Sequence, residues 1–359
     1  MWGVCIISER CLSYAEAVNE ALKQAMHQDP KVLCYGLGVT DPKHVFGTTR
    51  FLESEFGPER VFDIPCSENA ITGIGVGAAL RGYKSIITHQ RLDFSLLSMD
   101  QIVNSAAKWH YMFGSQMSVP ITIRLILGRG WGQGPTHSQN LQAWFAHIPG
   151  LKVVSPSNAS DAKGLLLASI SDPNPVIFLE HRWLHNSVSV VNPNYYELEI
   201  GSSNILNVGE DVTVVTNSYL VPECIDAIRY LYNEFSISCD LIDIRSIRPL
   251  DKEMIIKSVA KTGKLLCVDT ASASFSVSSE IISCVAESIS PSKCILMQKI
   301  GLPDIPEPTS YGLTKGFHLN ADDVINKIFA MCGIAEKTPP IIRKVEHHDI
   351  PGAWFKGPF

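Results

Sequence analysis

Three short segments carry residue types that could do chemistry. The first is Ser67-Glu68-Asn69-Ala70-Ile71-Thr72-Gly73, directly after the apolar run Val61-Phe62-Asp63-Ile64-Pro65. Glu68 therefore stands where a strand gives way to a helix, at the carboxyl edge where open α/β sheets place ligands. A carboxylate there can hold a proton donor of a ligand, or simply stabilise the helix N-terminus by about 0.3–1 kcal/mol. Gly73, Gly75 and Gly77 fall inside the helix, so they imply close packing and not a dinucleotide fingerprint. The second segment, Gly128 to Gln139, follows the run Ile121–Leu127 and brings His137 on a glycine-rich loop. An imidazole on such a loop is either an exposed surface histidine or a proton donor and acceptor near neutral pH. The third is Arg91-Leu92-Asp93-Phe94, after Lys84–Thr88, where Phe94 is either core or a platform for a flat ligand. Together these strand ends offer a Glu, an aromatic and a His, and no Ser/His/Asp or metal-ligating constellation competes with them.

The elements that must position these residues are legible from periodicity. Ser13-Tyr14-Ala15-Glu16 has capping-box spacing before apolar residues at 18, 22, 25 and 26, which predicts a helix. Strands are expected at Val32–Tyr35, Val61–Ile64, Lys84–Thr88, Ile121–Leu127, Lys152–Ser155 and Val176–Glu180. Helices are expected at Asn69–Leu80, Met99–Met112 and Asp161–Ile170. Alternating apolar strands and helices mean a mostly parallel sheet covered on both faces. The pattern lapses into Asn, Pro, Ser and Gly over 191–209, expected as a linker between a domain at 1–190 and a second at 210–335. The second domain repeats the alternation, with strands near Val212, Cys239, Lys264 and Ile295 and helices between them. The fold class is thus α/β, two doubly wound domains, and residues 336–359 read as an extended arm packing on something else.

Composition narrows the function. The 359 residues carry a formal net charge of -6 with 18% charged residues and no Lys/Arg-rich run, which argues against nucleic acid or a membrane surface as partner. Ten scattered cysteines form no Cys-x-x-Cys pair, so neither a zinc site nor a disulfide framework is expected. No stretch approaches the roughly 18 apolar residues of a membrane-spanning helix, and Val4–Ile7 is too short for a secretory core. The expected localisation is cytoplasmic.

Longer stretches carry a family resemblance. Ile102-Val-Asn-Ser-Ala-Ala-Lys108, Thr136-His-Ser-Gln139, Pro149-Gly-Leu-Lys-Val-Val-Ser-Pro156, Asp161-Ala-Lys-Gly-Leu165 and Asp243-Ile-Arg-Ser-Ile-Arg-Pro-Leu250 occur in one order. The chain, over about residues 13–331, resembles the β subunit of 2-oxo acid dehydrogenase E1 components of the pyruvate and acetoin type. These are transketolase-like thiamine diphosphate (ThDP) enzymes. The resemblance implies a pyrimidine-binding domain followed by a transketolase C-terminal-like domain. It implies that Glu68 hydrogen-bonds N1′ of the aminopyrimidine, so that the 4′-nitrogen can remove the C2 proton of the thiazolium. Phe94 falls where the family stacks an aromatic on the pyrimidine, and His137 where a loop histidine meets substrate or acyl acceptor. Ile121, Ser169, Asp172 and Asn174 resemble positions whose carbonyls bind a structural K⁺ in some relatives. No Gly-Asp-Gly…Asn motif for Mg²⁺ and diphosphate occurs in these residues. The family forms its site between such an α subunit and the β subunit, as an α₂β₂ heterotetramer with a β–β contact, sometimes serving a lipoyl-bearing acyltransferase.

The chain departs from the family at four places, one of them the added end Asp349 to Phe359. Gly36-Leu37-Gly38-Val39 replaces an acidic pair, Thr88-His89-Gln90-Arg91-Leu92 replaces an acidic and aromatic run, and Thr270 to Phe275 replaces a Gly-Gly-Trp segment. These changes suit a changed substrate with ThDP activation retained. The leading expectation is decarboxylation of a 2-oxo acid with acyl or aldehyde transfer. A carboligase or ketol transferase acting on a polar, sugar-like acceptor, and a non-catalytic assembly subunit, are the alternatives.

Overall fold

The computed structural model describes residues 10–130, 132–290, 295–334 and 347–357. Strand β1 (Cys11–Ser13) leads into helix α1 (Tyr14–Gln28), whose expected capping box is present: Ser13 and Glu16 satisfy each other's backbone N–H. Tyr14, Ala17, Val18, Ala21, Leu22 and Ala25 recur at helical spacing on its buried face, which packs against a later helix of the same domain.

The first sheet follows in chain order. It contains β2 (Val32–Gly36), β3 (Val61–Phe62), β4 (Lys84–His89), β5 (Ile121–Leu127), β6 (Lys152–Val154) and β7 (Val176–His181). These six strands are mutually parallel, in the order β6-β7-β5-β4-β2-β3. The helices among them are α2 (Leu52–Phe56), α3 (Glu68–Leu80), α4 (Ala107–Met112), α5 (Gln142–His147) and α6 (Ala159–Ser171). All seven residues of β5 are buried, and successive side chains alternate between two apolar layers. Ile86, Val176 and Phe178 join the layer of α1 and α6, whereas Ile87, Ile177 and Leu179 join that of α3. A strand buried on both faces reads as a continuous apolar run for this reason. Strand β8 (Val188–Val190) then returns antiparallel to β1.

The second sheet contains β9 (Asn204–Asn207), β10 (Val212–Thr216) and β11 (Cys239–Asp243). After the short β12 (Ser246–Arg248) it is completed by β13 (Lys264–Ser272) and β14 (Leu296–Leu302), in the order β14-β13-β10-β11-β9. Its helices are α7 (Leu220–Phe235), α8 (Lys252–Thr262), α9 (Val277–Ser288) and α10 (Ala321–Met331). No helix among the described residues is long and apolar enough to cross a membrane.

Three details differ from the expectation. Residues 191–209, read as a linker, contain β9, which pairs antiparallel with β11 as an edge of the second sheet. Strand β12 leaves the second domain and adds antiparallel to β6, so the first sheet gains a strand from beyond residue 190. The helix expected over Met99–Met112 is instead a π-helical segment, Gln101–Ala106, continuing into α4. Most of the expected arm lies outside the described residues, but 347–357 pack on this same chain. The Trp354 indole and the Gly352 N–H both donate to the buried carboxylate of Glu223, at 2.7 and 2.6 Å. His348 contacts the Tyr311 carbonyl at 2.6 Å.

Candidate functional site

Because β2, β3, β4, β5 and β7 are parallel, the segments that follow them emerge at one sheet edge. Glu68 follows β3 and is the first residue of α3; Phe94 follows β4 on a 3₁₀ turn, Leu92–Ser98; His137 lies on the loop after β5. Helix α3 packs against both the Phe94 turn and the π-helical segment after it. The Phe94 and His137 rings meet edge to face, with centroids 5.5 Å apart. A tether explains how a glycine-rich loop holds that contact. Gln139, two residues after His137, donates from its amide to Asp93 at 2.8 Å, next door to Phe94. Beyond it, Asn140 donates to Thr270 at 2.8 Å and Gln142 to Asp269 at 2.6 Å, fixing the loop's end to the second domain.

Glu68 is 7% exposed. Among the described residues its carboxylate has one side-chain partner, the Cys66 thiol at 3.9 Å, and the N-cap residue Ser67 adds no side-chain bond. A carboxylate accepts up to about four hydrogen bonds, so this one retains most of its accepting capacity in a buried place. Phe94 is half-buried and His137 is exposed, with Nδ1 at 3.1 Å from the Thr136 hydroxyl. A cavity of about 920 Å³ opens elsewhere, between the domains. It is lined by Trp144, His147, Arg248, Lys252, Phe275 and Glu280, and by none of the three candidate residues.

The segments Gly36–Val39 and Thr88–Leu92 lie together. Gly36 and Gly38 lie against β4 and the residue after it. A Cβ on Gly36 would stand 2.2 Å from the Thr88 carbonyl oxygen, and one on Gly38 would stand 2.0 Å from the Gln90 amide nitrogen. His89 ends β4 inside the protein, and burial pushes its imidazole down to about 4, so it is neutral at physiological pH. Arg91 also turns inward and donates to the Gly128 carbonyl.

Ile121, Ser169, Asp172 and Asn174 come together at the opposite end of β5, away from Glu68. The Thr122 hydroxyl donates to the Ser169 carbonyl at 3.0 Å, and Asn174 N–H to the Asp172 carboxylate at 2.9 Å. Lys152 forms an ion pair with the same carboxylate. A cation there would meet carbonyl oxygens only, since the one carboxylate is already matched by an ammonium. Among the described residues no group of three or more His, Cys, Asp or Glu is placed to hold a metal ion.

Sequence reasoning missed several residues at this edge. Arg182 follows β7, and Phe46 lies on the loop after β2; neither belongs to a motif, and only the strand order brings them near Arg91. Inside the sheet, Arg124 of β5 forms a two-pronged ion pair with Glu180 of β7, at 2.5 and 2.9 Å, with both side chains fully buried.

Comparison with known proteins agrees with this architecture. The family model for the transketolase pyrimidine-binding domain matches residues 11–186, and that for the transketolase C-terminal domain matches 201–324. The pyruvate dehydrogenase E1 component subunit beta-1 of Arabidopsis thaliana is 37% identical over 325 residues, covering 89% of this chain and 89% of its own. The corresponding Rickettsia bellii subunit is 36% identical, covering 90% of this chain and 99% of its own. The 2-oxoisovalerate dehydrogenase subunit beta of Bacillus subtilis is 37% identical, covering 87% and 96%. Among solved structures, one described as "Split gene transketolase, inactive beta4 tetramer" superposes with a TM-score of 0.74 at 20% identity over 90% of this chain and 99% of its own. That likeness supports the fold. With two transketolase-type domains in this order and relatives matched across almost their full length, the chain belongs to the transketolase-like family of 2-oxo acid dehydrogenase E1 β subunits.

Proposed function

We propose that this chain is the cofactor-activating half of a ThDP-dependent enzyme acting on a 2-oxo acid, completed by an α-type subunit that supplies the Mg²⁺ and diphosphate ligands. The observation that carries this reading is Glu68: a buried carboxylate at the sheet's carboxyl edge whose described side-chain partner is one thiol. Such a group fits a ligand that brings its own ring N–H. The half-buried ring of Phe94 offers a flat surface to an aminopyrimidine. When bound, ThDP supplies a carbon acid that, once deprotonated, attacks a carbonyl and stabilises the charge left by decarboxylation.

Three roles fall to this chain. Glu68 holds the proton at the aminopyrimidine N1′. Phe94 orients the ring. His137, exposed beside Phe94, exchanges a proton with the substrate or with the group that accepts the acyl or aldehyde unit. A lipoyl-bearing acyltransferase is the acceptor this family reading favours, and an α₂β₂ assembly, with a β–β contact, its quaternary form. A structural K⁺ at the carbonyls of Ile121, Ser169, Asp172 and Asn174 belongs to the same reading.

The test is a tagged purification of the full chain from its native cell, with mass identification of companion chains and assay of bound ThDP. The reading requires a companion carrying the Gly-Asp-Gly…Asn motif, together with ThDP. A chain recovered alone, and still empty after ThDP and Mg²⁺ are added, would refute it.

A further inference from the structure

The same sheet edge holds charged groups that this chemistry leaves unused. Arg91 follows β4, Arg129 opens the glycine loop after β5, and Arg182 follows β7. The strand register puts β4, β5 and β7 side by side, so three adjacent strand ends deliver three guanidiniums. All are buried, Arg91 and Arg182 each only 6% exposed. Both stand over the Phe46 ring, with Cζ at 5.9 Å for Arg91 and 4.5 Å for Arg182.

Their pairing is unequal. Arg129 has two carboxylates nearby, Glu307 at 3.9 Å and Asp349 at 3.8 Å, and donates to the Thr309 carbonyl at 3.2 Å. Among the described residues the Arg91 side chain makes one hydrogen bond, to the Gly128 carbonyl. Among the described residues no carboxylate reaches within 4.0 Å of Arg91 or Arg182. Among the described residues the buried Arg182 Nε has no partner. Burial, and then the like charge of Arg91, push the Arg182 guanidinium down to about 10. Asp93 and Glu307 act on Arg91 only from beyond 4.0 Å, so the two neighbouring cations are buried with no acid in contact, a costly arrangement that a bound anion would relieve. The platform between them is itself held in a disfavoured backbone. His44, Val45 and Phe46 all have left-handed φ, at 48°, 44° and 60°, and Val45 is β-branched.

We propose that Arg91 and Arg182 bind a phosphate monoester group carried by the substrate or the acceptor, beside the site of Glu68, Phe94 and His137. This rests on the functional reading above for the site's identity, but not for the binding itself. Each guanidinium can offer a two-pronged N–H fork to an oxyanion. Their joint charge matches a phosphate of about -1.5 to -2, whereas one carboxylate would leave a buried positive charge unmatched.

The test uses the full chain in its ThDP-saturated complex, titrated with inorganic phosphate by calorimetry and by thermal shift. Saturable binding is expected in the wild type, weakened at least tenfold in Arg182→Gln and in Arg91→Gln. The Arg182→Gln complex without phosphate should melt no lower than the wild type, since it loses an unmatched buried charge. Arg182→Lys, which keeps the charge and loses the fork, should bind at intermediate strength, so the outcome does not hang on one variant folding. The proposal is overturned by absent or non-saturable phosphate binding, or by binding unchanged in both Gln variants. Acetate binding as tightly as phosphate would assign a carboxylate instead. Phosphate binding that appears only when ThDP is withheld would assign the arginines to the cofactor's own diphosphate. No turnover is measured, so failure here leaves the role of Glu68 standing, and an inert Glu68 variant leaves phosphate binding standing.

Discussion

A carboxylate at the first turn of a helix ordinarily gathers backbone N–H donors or a capping partner. Glu68 begins α3 with its neighbouring thiol as described partner, which leaves its accepting capacity for a ligand. Glu68→Gln should therefore lower turnover of the assembled enzyme by about 10²–10⁴-fold, the usual worth of a positioned acid or base. The unfolding midpoint should hardly move. The buried pair of Arg124 and Glu180 should behave in the opposite way. Removing one partner strands a charge between two apolar layers, so Glu180→Ala should destabilise by about 3–5 kcal/mol in urea unfolding. The double change Arg124→Met with Glu180→Met should recover most of that loss, because apolar side chains of similar volume suit the interior of the sheet.

At the scale of elements, the strand ends of the two domains meet around Asp243, the last residue of β11. Its carboxylate accepts from Ser157 of the first domain and from the N–H of Arg245. Burial pushes it up to about 7, with Asp161 adding to the rise and the Ser157 and Arg245 contacts opposing it. The unfolded carboxyl titrates near 4, so between about pH 4 and 7 the folded chain holds a proton that the unfolded chain does not. Stability should fall as pH rises through that window, and Asp243→Asn should flatten the slope of melting temperature against pH. An unchanged slope would place Asp243 outside the titration. This contact was hidden from the sequence, as were β9 and β12. Both are three- or four-residue strands completing a sheet edge, and nothing in so short a run names the strand it will pair with. The long elements were legible because their burial is periodic. Ile121–Leu127 is apolar apart from Thr122 and Arg124, and it lies between two helix layers. Ser13 and Glu16 announced α1 because capping is local. Glu68, Phe94 and His137 could be placed at one edge because each follows a strand. Arg182 could not, since its neighbourhood depends on β7 lying beside β5.

At the scale of the molecule, the elements that carry the site also carry uncovered apolar side chains. Ile74 of α3, Leu97 of the Phe94 turn, Tyr111 and Met112 of α4, and Phe113 after it, are all exposed. Apolar groups gathered on site-bearing elements suit a surface covered by a partner subunit. Leu97→Glu should cut recovery of the companion chain at least tenfold in the tagged purification, while the isolated variant keeps the wild-type circular dichroism. Hydrogen–deuterium exchange at C2 of bound ThDP, read by acid quench and proton NMR, reports whether this chain activates a cofactor held across a subunit boundary. The wild-type complex should exchange C2 orders of magnitude faster than free ThDP, and the Glu68→Gln complex, with equal ThDP content, should fall back by at least about a hundredfold. Equal exchange rates in the two complexes would contradict activation by this chain.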